Sequence, residues 1–581
     1  GLRTDGYKIA ESTTFDGDGA LDAVSRAMGI EVRARSVTRI GSRMARPEKA
    51  KERKMNPPVH ALFPVGKDPG SKREMNSAIS VSRATTSSIG SGSSRPKGVQ
   101  IEVGTRKCIS CGKMSVMASC EQCGSYTRFE KFERQTEGNE RYVDISPIYE
   151  KALKRLGMDT LPELRCVEGL SSRVKVPEAL EKGILRAVND VYIFKDGTIR
   201  YDMTDVPITH FRPREIELSV ERANELGYTH DMNGNPLVSD DQLCELRVQD
   251  IVPADTCGDY MVRVSKFMDD MLDKHYGMER FYNAGKRGDL VGQLAIGLAP
   301  HTSGGILCRI IGYTKACGGY AHPFFHAAKR RNCDGDEDSM ILMLDGLINF
   351  SRDFLPDRRG GLMDAPLVLT TRLDPNEIDK EAHNVDCLTE YPLEFYKAAM
   401  DVRDPKEVEG IMDMVGGRIG TERQYQGLGF THDTKDISEG PKHSAYTTLE
   451  TMSDKMEAQL NLGRKIRAVD ERDVATRVID KHFLPDMVGN LRSFSAQNVR
   501  CTKCGEKYRR IPLSGKCTCG NTLILTVHEA SVKKYLDVSK EMGEKYGLSE
   551  YTRQRIDILE MSMDSLFNND KVKKCKLSDF F

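Results

Sequence analysis

Lys329-Arg330-Arg331-Asn332-Cys333-Asp334-Gly335-Asp336-Glu337-Asp338 places four carboxylates within five residues, directly behind three cations. At neutral pH these acids repel one another. A fold holds them where a cation neutralises them or where they stand in water. Asp334 and Asp336 fall on one side of an extended turn, and Gly335 between them permits tight or positive-φ backbone. Hard oxygen donors of this kind suit Mg²⁺, which is ordinarily held by one or two carboxylates plus substrate phosphates. Lys329, Arg330 and Arg331 suit a polyanion arriving at the same place. A solvated acidic loop would carry the same letters, so the flanks decide.

Upstream lie the run Gly304–Lys315, which contains Arg309, and then Tyr320-Ala321-His322-Pro323-Phe324-Phe325-His326. Downstream come the apolar run Ser339-Met340-Ile341-Leu342-Met343-Leu344-Asp345 and the Arg- and Gly-rich stretch Phe354–Leu367. An acidic turn between two apolar runs is the pattern of a site. This block closely resembles the large, catalytic subunit of the archaeal D-family DNA polymerase, whose N-x-D-G-D motif carries a metal-binding Asn and two Asp. By that resemblance Asn332, Asp334 and Asp336 form the catalytic site, with Asp334 and Asp336 holding Mg²⁺ and Asn332 ligating or orienting it. Lys329, Arg330 and Arg331 would neutralise phosphate charge, with Arg309 and Lys315 as weaker candidates. Asp338 is expected to be more replaceable than Asp334 or Asp336.

The chain has 581 residues with 86 basic and 86 acidic side chains, so net charge selects no partner. Its length calls for several domains. Mean hydropathy is −0.48 and no long apolar segment occurs, so no membrane span is expected. The chain opens on Gly without a charged-then-apolar leader, which suggests a fragment or processed chain and argues against secretion. Of 16 cysteines, eight fall into two tight clusters, the pattern of metal in a reducing cytosol.

In chain order, Phe15-Asp16-Gly17-Asp18-Gly19 begins like a calcium loop. Ala20 and Ala27 stand where ligands are needed, so it reads as a surface turn. Arg43, Arg46, Lys49, Lys51, Arg53 and Lys54 make the most basic short run. Its plain reading is an exposed helix laced with charge pairs, and its functional reading is contact with phosphate. Residues 76–98 collapse to Ser, Thr, Gly and Arg and read as a flexible linker. Cys108-x2-Cys111-x8-Cys120-x2-Cys123 is the spacing of a closed Cys₄ zinc ribbon, and Cys501-x2-Cys504-x12-Cys517-x-Cys519 reads as a second, shortened one. Asp196-Gly197 predicts a hairpin over 191–201, and Pro207 argues against a central strand through the residues that follow. Val264, Phe267, Met268, Met271 and Leu272 predict a core-facing helix over 262–276. Residues 390–425 and 446–492 carry helical patterns, with a glycine-broken turn between them. Ile556, Leu559, Met563 and Leu566 form a C-terminal stripe that is either core or a subunit contact.

The domains expected are 1–75 (part of a first barrel with the basic run), 76–98 (linker), 99–135 (zinc ribbon) and 136–300 (mixed α/β core). They continue as 301–500 (catalytic barrel region with helical additions), 501–527 (second zinc module), 528–570 (C-terminal helices) and 571–581 (tail). The resemblance covers essentially the whole chain and matches roughly the C-terminal half of the family's large subunit. It implies a mixed α/β fold with two double-psi β-barrels, like those of multisubunit RNA polymerases, plus zinc-ribbon modules and C-terminal helices. It further implies template-directed DNA synthesis from dNTPs on primer–template DNA in the archaeal cytoplasm, at the nucleoid. The proofreading exonuclease would belong to a separate small subunit. Two alternatives are a non-catalytic zinc-containing nucleic-acid scaffold and an RNA-synthesising enzyme on the same barrels. Finally, Leu577, Phe580 and Phe581 have the i, i+3, i+4 spacing of a sliding-clamp-binding peptide, although Lys574 stands where that pattern has Gln.

Overall fold

A computed structural model describes residues 4–5, 8–9, 22–23, 25–26, 49–70, 72–84, 98–129, 140–159, 163–171, 175–330, 336–355, 361–431, 433, 436–438, 448–466, 469–501 and 506–568. The chain divides into two units, Gly1–Ser444 and Ala445–Phe581.

The first unit is built on Arg200–Pro207 (β2), which is buried at all eight positions. Its sequence RYDMTDVP is too polar to read as a core strand, yet each charge meets a partner inside. Arg200 pairs with Asp196 and donates to Thr198 Oγ1 at 3.1 Å, while Asp202 accepts from Arg53 at 3.0 Å and from Ser339. Buried polar groups are tolerated on that condition. Around β2 stand Asp250–Val252 (β3), Leu294–Leu298 (β4), Gly304–Ile310 (β5), Gly319–Ala321 (β6) and Glu337–Leu342 (β7). Their order is β3-β6-β2-β7-β4-β5, and β5 returns to β3, so six strands close into a barrel. The closing ladder is short: Asp250 faces Arg309 and Ile251 faces Ile310. Arg309 reinforces that seam by donating to both Asp250 oxygens, at 2.9 and 2.7 Å.

Four expectations are corrected here. β2 runs through Pro207, which faces Ala321 of β6. Asp205 N donates toward β7 and Ile208 N toward β6, so alternation turns the proline nitrogen to the β7 edge, beyond Asp336. No ladder bond among the described residues is lost there. The Asp196-Gly197 turn does form, with Gly197 at φ 90, but it feeds a barrel strand, not a local hairpin. The basic run is also no helix where it is described. Ala50–Arg53 (β1) is a strand paired antiparallel with the first half of β2. Finally, the linker reading fails for residues 76–84. Met75–Ala84 (α1) is a helix that buries Met75, Ala78, Ile79 and Ser82, and residues 85–97 lie outside the described chain.

The predicted 262–276 helix is present as Asp255–Asp270 (α3), prolonged by a π-helical turn to Tyr276. Val264, Phe267, Met268 and Met271 are fully buried. Burying such side chains contributes on the order of 1.5–3 kcal/mol each. Beyond the barrel, residues 390–425 hold one α-helix, Leu393–Met400, followed by short 3₁₀ turns, because Pro405, Gly410, Gly416, Gly417 and Gly420 interrupt the helical pattern.

Where it is described, the second unit is helical apart from its cysteine module. Met452–Lys465, Glu471–Val478, Leu484–Ala496, Leu536–Tyr546 and Glu550–Phe567 bury one core that includes Leu460, Phe483, Met487, Leu536, Ile556, Leu559 and Met563. Phe483 stacks on Tyr535 with ring centroids 4.4 Å apart. The C-terminal stripe is therefore core, except Leu566, which is 46 % exposed. Among the described residues no helix is long and apolar enough to cross a membrane.

Candidate active site

Pro323–Ala328 (α4) and β7 bracket the acidic stretch. Proline at the first turn and His322 at the N-cap start α4, the His322 ring accepting from Phe324 N at 3.1 Å. Burial lowers the His322 pKa to about 3, so this cap is a neutral ring. At the far end Arg330 adopts φ 59 and turns the chain out of the helix. Residues 331–335, including Arg331, Asn332 and Asp334, lie outside the described residues. The chain returns at Asp336, whose carbonyl accepts from Asp205 N at 2.8 Å and so extends the β2–β7 ladder.

From there strand alternation sorts the acids. Glu337 and Ser339 face the wall made by Lys49, Arg53 and Asp202, where Lys49 pairs with Glu337 and lies 3.5 Å from Asp202. Asp338 faces the barrel interior, is 6 % exposed, and pairs with Lys329. Asp336 is half-buried at the rim. Glu337 and Asp338 are thus each paired with a cation of the protein.

Inside, Lys329 Nζ also lies 3.7 Å from Asp205 Oδ1 and 3.5 Å from His326 Nδ1. His326 Nδ1 is 3.3 Å from Asp205 Oδ2, and its Nε2 donates to Val206 O at 3.2 Å. These groups border a cavity of about 30 Å³ that is otherwise lined mainly by apolar side chains. Asp205, His326 and Asp338 offer ligand atoms within 4.8 Å of one another, but the Lys329 ammonium supplies the positive charge among them. Carboxylate oxygens at the rim fit Mg²⁺, a hard cation.

The proposed phosphate contacts separate by environment. Lys329 is buried at 3 % exposure and is turned inward, away from any substrate in solvent. Arg309 is committed to its bidentate pair with Asp250, which holds its pKa above the usual range. Lys49 and Arg53 serve the wall, and Lys54 pairs with Glu52 and covers the Tyr192 ring at 4.2 Å. Lys51, Lys315 and Arg330 are exposed. Arg43 and Arg46 lie outside the described residues. The sequence reading missed Asp205 and His326. The signal available was His326 standing three residues before Lys329 at the end of a short helix.

The first cysteine cluster sits on a three-stranded sheet in which Arg106–Cys108 pairs with Met114–Ser115 and Thr127–Phe129. Gly112 at φ 72 and Gly124 at φ 76 close the two knuckles, a conformation that side chains with a Cβ rarely adopt. The Sγ atoms of Cys108 and Cys123 are 3.4 Å apart, and those of Cys111 and Cys120 3.6 Å. Tetrahedral zinc with Zn–S near 2.3 Å needs about 3.8 Å, so the donors fit. In the second cluster Cys501 and Cys519 are 3.5 Å apart and Cys517 joins them, while Cys504 lies outside the described residues. The purified chain is therefore expected to contain two equivalents of zinc by elemental analysis. Cys111→Ser is expected to unfold the first module alone, read as new proteolytic cleavage within 99–135 while the barrel stays resistant. Zinc-free reduced protein would refute the assignment.

With this geometry in place, the relatives are informative. The family model described as the catalytic domain of the DNA polymerase II large subunit DP2 matches residues 157–455, and that of its central domain matches residues 2–140. A model described as the zinc finger domain of DNA polymerase-epsilon matches residues 495–551. Curated proteins named DNA polymerase II large subunit are 54 % identical in Methanocella arvoryzae over 97 % of this chain, and 50 % identical in Archaeoglobus fulgidus over 99 % of it. The one from Methanothermobacter thermautotrophicus is 50 % identical over 97 %. The chain belongs to the DNA polymerase II large subunit family. It spans about half the length of these relatives, 50, 51 and 50 % respectively.

Proposed function

We propose that this chain carries the nucleotidyl-transfer centre of a DNA-directed DNA polymerase and corresponds to the C-terminal half of its large subunit. The observation that carries the reading is the sorting of the acids. The ladder to Asp205 fixes Asp336, half-buried, at the barrel rim, whereas Glu337 turns to the wall with Lys49 and Asp338 to the interior with Lys329. Asp336, with Asp334 and Asn332 of the same motif, would hold Mg²⁺. When bound, that metal supplies charge compensation for the triphosphate and lowers the pKa of the primer 3′-hydroxyl. The protein's own part is to fix Asp336 against β2, and to offer Lys51, Lys315, Arg330 and Arg331 to phosphates. The closed six-strand barrel is compatible with the catalytic double-psi barrel of the family, whose first barrel would be built partly from residues 1–75.

The partners that follow are primer–template DNA, dNTPs, a small exonuclease subunit and, through Leu577, Phe580 and Phe581, a sliding clamp. The tail bearing those three residues lies outside the described chain. The place of action is the archaeal cytoplasm, at nucleoid DNA. The test is primer extension by the full-length large subunit with its small subunit. Incorporation is expected to require Mg²⁺, to stop with EDTA and to use dNTPs in preference to rNTPs. Absence of incorporation would favour a scaffold, and preference for rNTPs an RNA-synthesising enzyme.

A further inference from the structure

The buried ion cluster lies where the chain leaves α4 and where it re-enters at β7. Lys329 closes the last turn of α4, its backbone N donating to His326 O at 3.1 Å. Asp338 belongs to β7, and the pair they form joins the two flanks of the acidic stretch through the barrel interior. Asp205 on β2 gives the third anchor. Its side chain faces Lys329 at 3.7 Å and His326 at 3.3 Å, and its backbone N holds Asp336 O at 2.8 Å. The seat for the lysine is built into β4: a Cβ at Gly297 would come within 2.7 Å of the Phe325 ring and 3.5 Å of Lys329 Cδ. The ammonium in turn lies 4.3 Å from the centre of that ring. Replacing such a cluster with packed apolar residues is often neutral or stabilising. Stability alone therefore does not account for charges here, whereas a defined geometry next to a site does.

We propose that Lys329 is a positioning residue, whose buried ammonium, tied to Asp338, Asp205 and His326, sets the place of Asp336 relative to the end of α4. In this role Lys329 acts through the placement of Asp336 and not by its own contact with substrate or metal. The inference rests on the reading of Asp336 as part of the nucleotidyl-transfer centre, and the experiment separates the two.

The test uses the full-length two-subunit enzyme carrying Lys329→Met together with Asp338→Asn, which removes both charges of the pair. Amide hydrogen exchange in the peptide covering residues 336–342 is expected to quicken at least tenfold without nucleotide or metal. On the enzyme, kcat is expected to fall about 10²-fold, the scale of a misplacement near 1 Å, with KM for dNTP changed less than about threefold. Should that variant melt below the assay temperature, Lys329→Arg decides by the same readouts. It keeps the charge but spreads it over a planar head that the same seat does not match, so a smaller fall in kcat is expected with KM held. Exchange and kcat both within twofold of the parent would overturn the proposal. So would a KM raised tenfold at unchanged kcat, which would make Lys329 a phosphate contact. Asp336→Asn run alongside isolates the premise. If it retains incorporation, the site reading fails. If it is dead while the Lys329 variants are normal, only the positioning role fails.

Discussion

Asp336→Asn is expected to lower nucleotide incorporation by about 10³-fold or more, the scale on which removal of one preorganised electrostatic group acts. The change is isosteric, so the ladder bond from Asp205 N to the Asp336 carbonyl survives and the strand keeps its place. What disappears is one negative charge at the rim. Neither neighbour can replace it. Glu337 is on the opposite face with Lys49, and Asp338 is inside with Lys329. Primer–template affinity is expected to stay within about twofold, because it rests on cations and counterion release. A single-turnover extension assay beside a binding titration checks both halves. Incorporation within tenfold of the parent would remove Asp336 from the site.

The largest stability effect is expected at Arg186, which is fully buried in Leu180–Val188 (α2). Its guanidinium donates to both Glu178 oxygens, at 2.8 and 2.7 Å, and to His60 O at 3.0 Å, and it sits 5.2 Å from the Phe267 ring. Arg186→Met would leave the Glu178 carboxylate, 5 % exposed, without its countercharge. Breaking a buried pair from one side costs about 3–5 kcal/mol. Denaturant unfolding of the chain is expected to show that loss, and adding Glu178→Gln is expected to restore much of it. A single-variant loss under about 1 kcal/mol would mean that the carboxylate finds water or another cation.

Local chemistry carried the legible part of this fold. Cysteine spacing located both cysteine clusters, and helical periodicity located 262–276 and the Ile556–Met563 stripe, since each signal lies within a few residues of itself. The barrel was not legible in the same way. β2 reads as polar because the partners of its charges are remote: Arg53 stands 149 residues from Asp202, and Ser339 137 residues away. The same remoteness made Lys49–Lys54 look like a solvated helix, and Lys329 like a phosphate contact. The acidic stretch was found from its letters, but the division of labour among its acids needed the ladder between β2 and β7.

The same ladder bears on how this region changes over generations. Along Asp336–Met340 each residue's role depends on the parity of its position. Inserting or deleting one residue would carry Glu337 inward and Asp338 outward, inverting every ion pair at once. A charge lost at Glu337 can be offset at Lys49 alone, whereas a change of length within the strand has no single compensating step. The length of β7 is thus constrained independently of which side chains it carries.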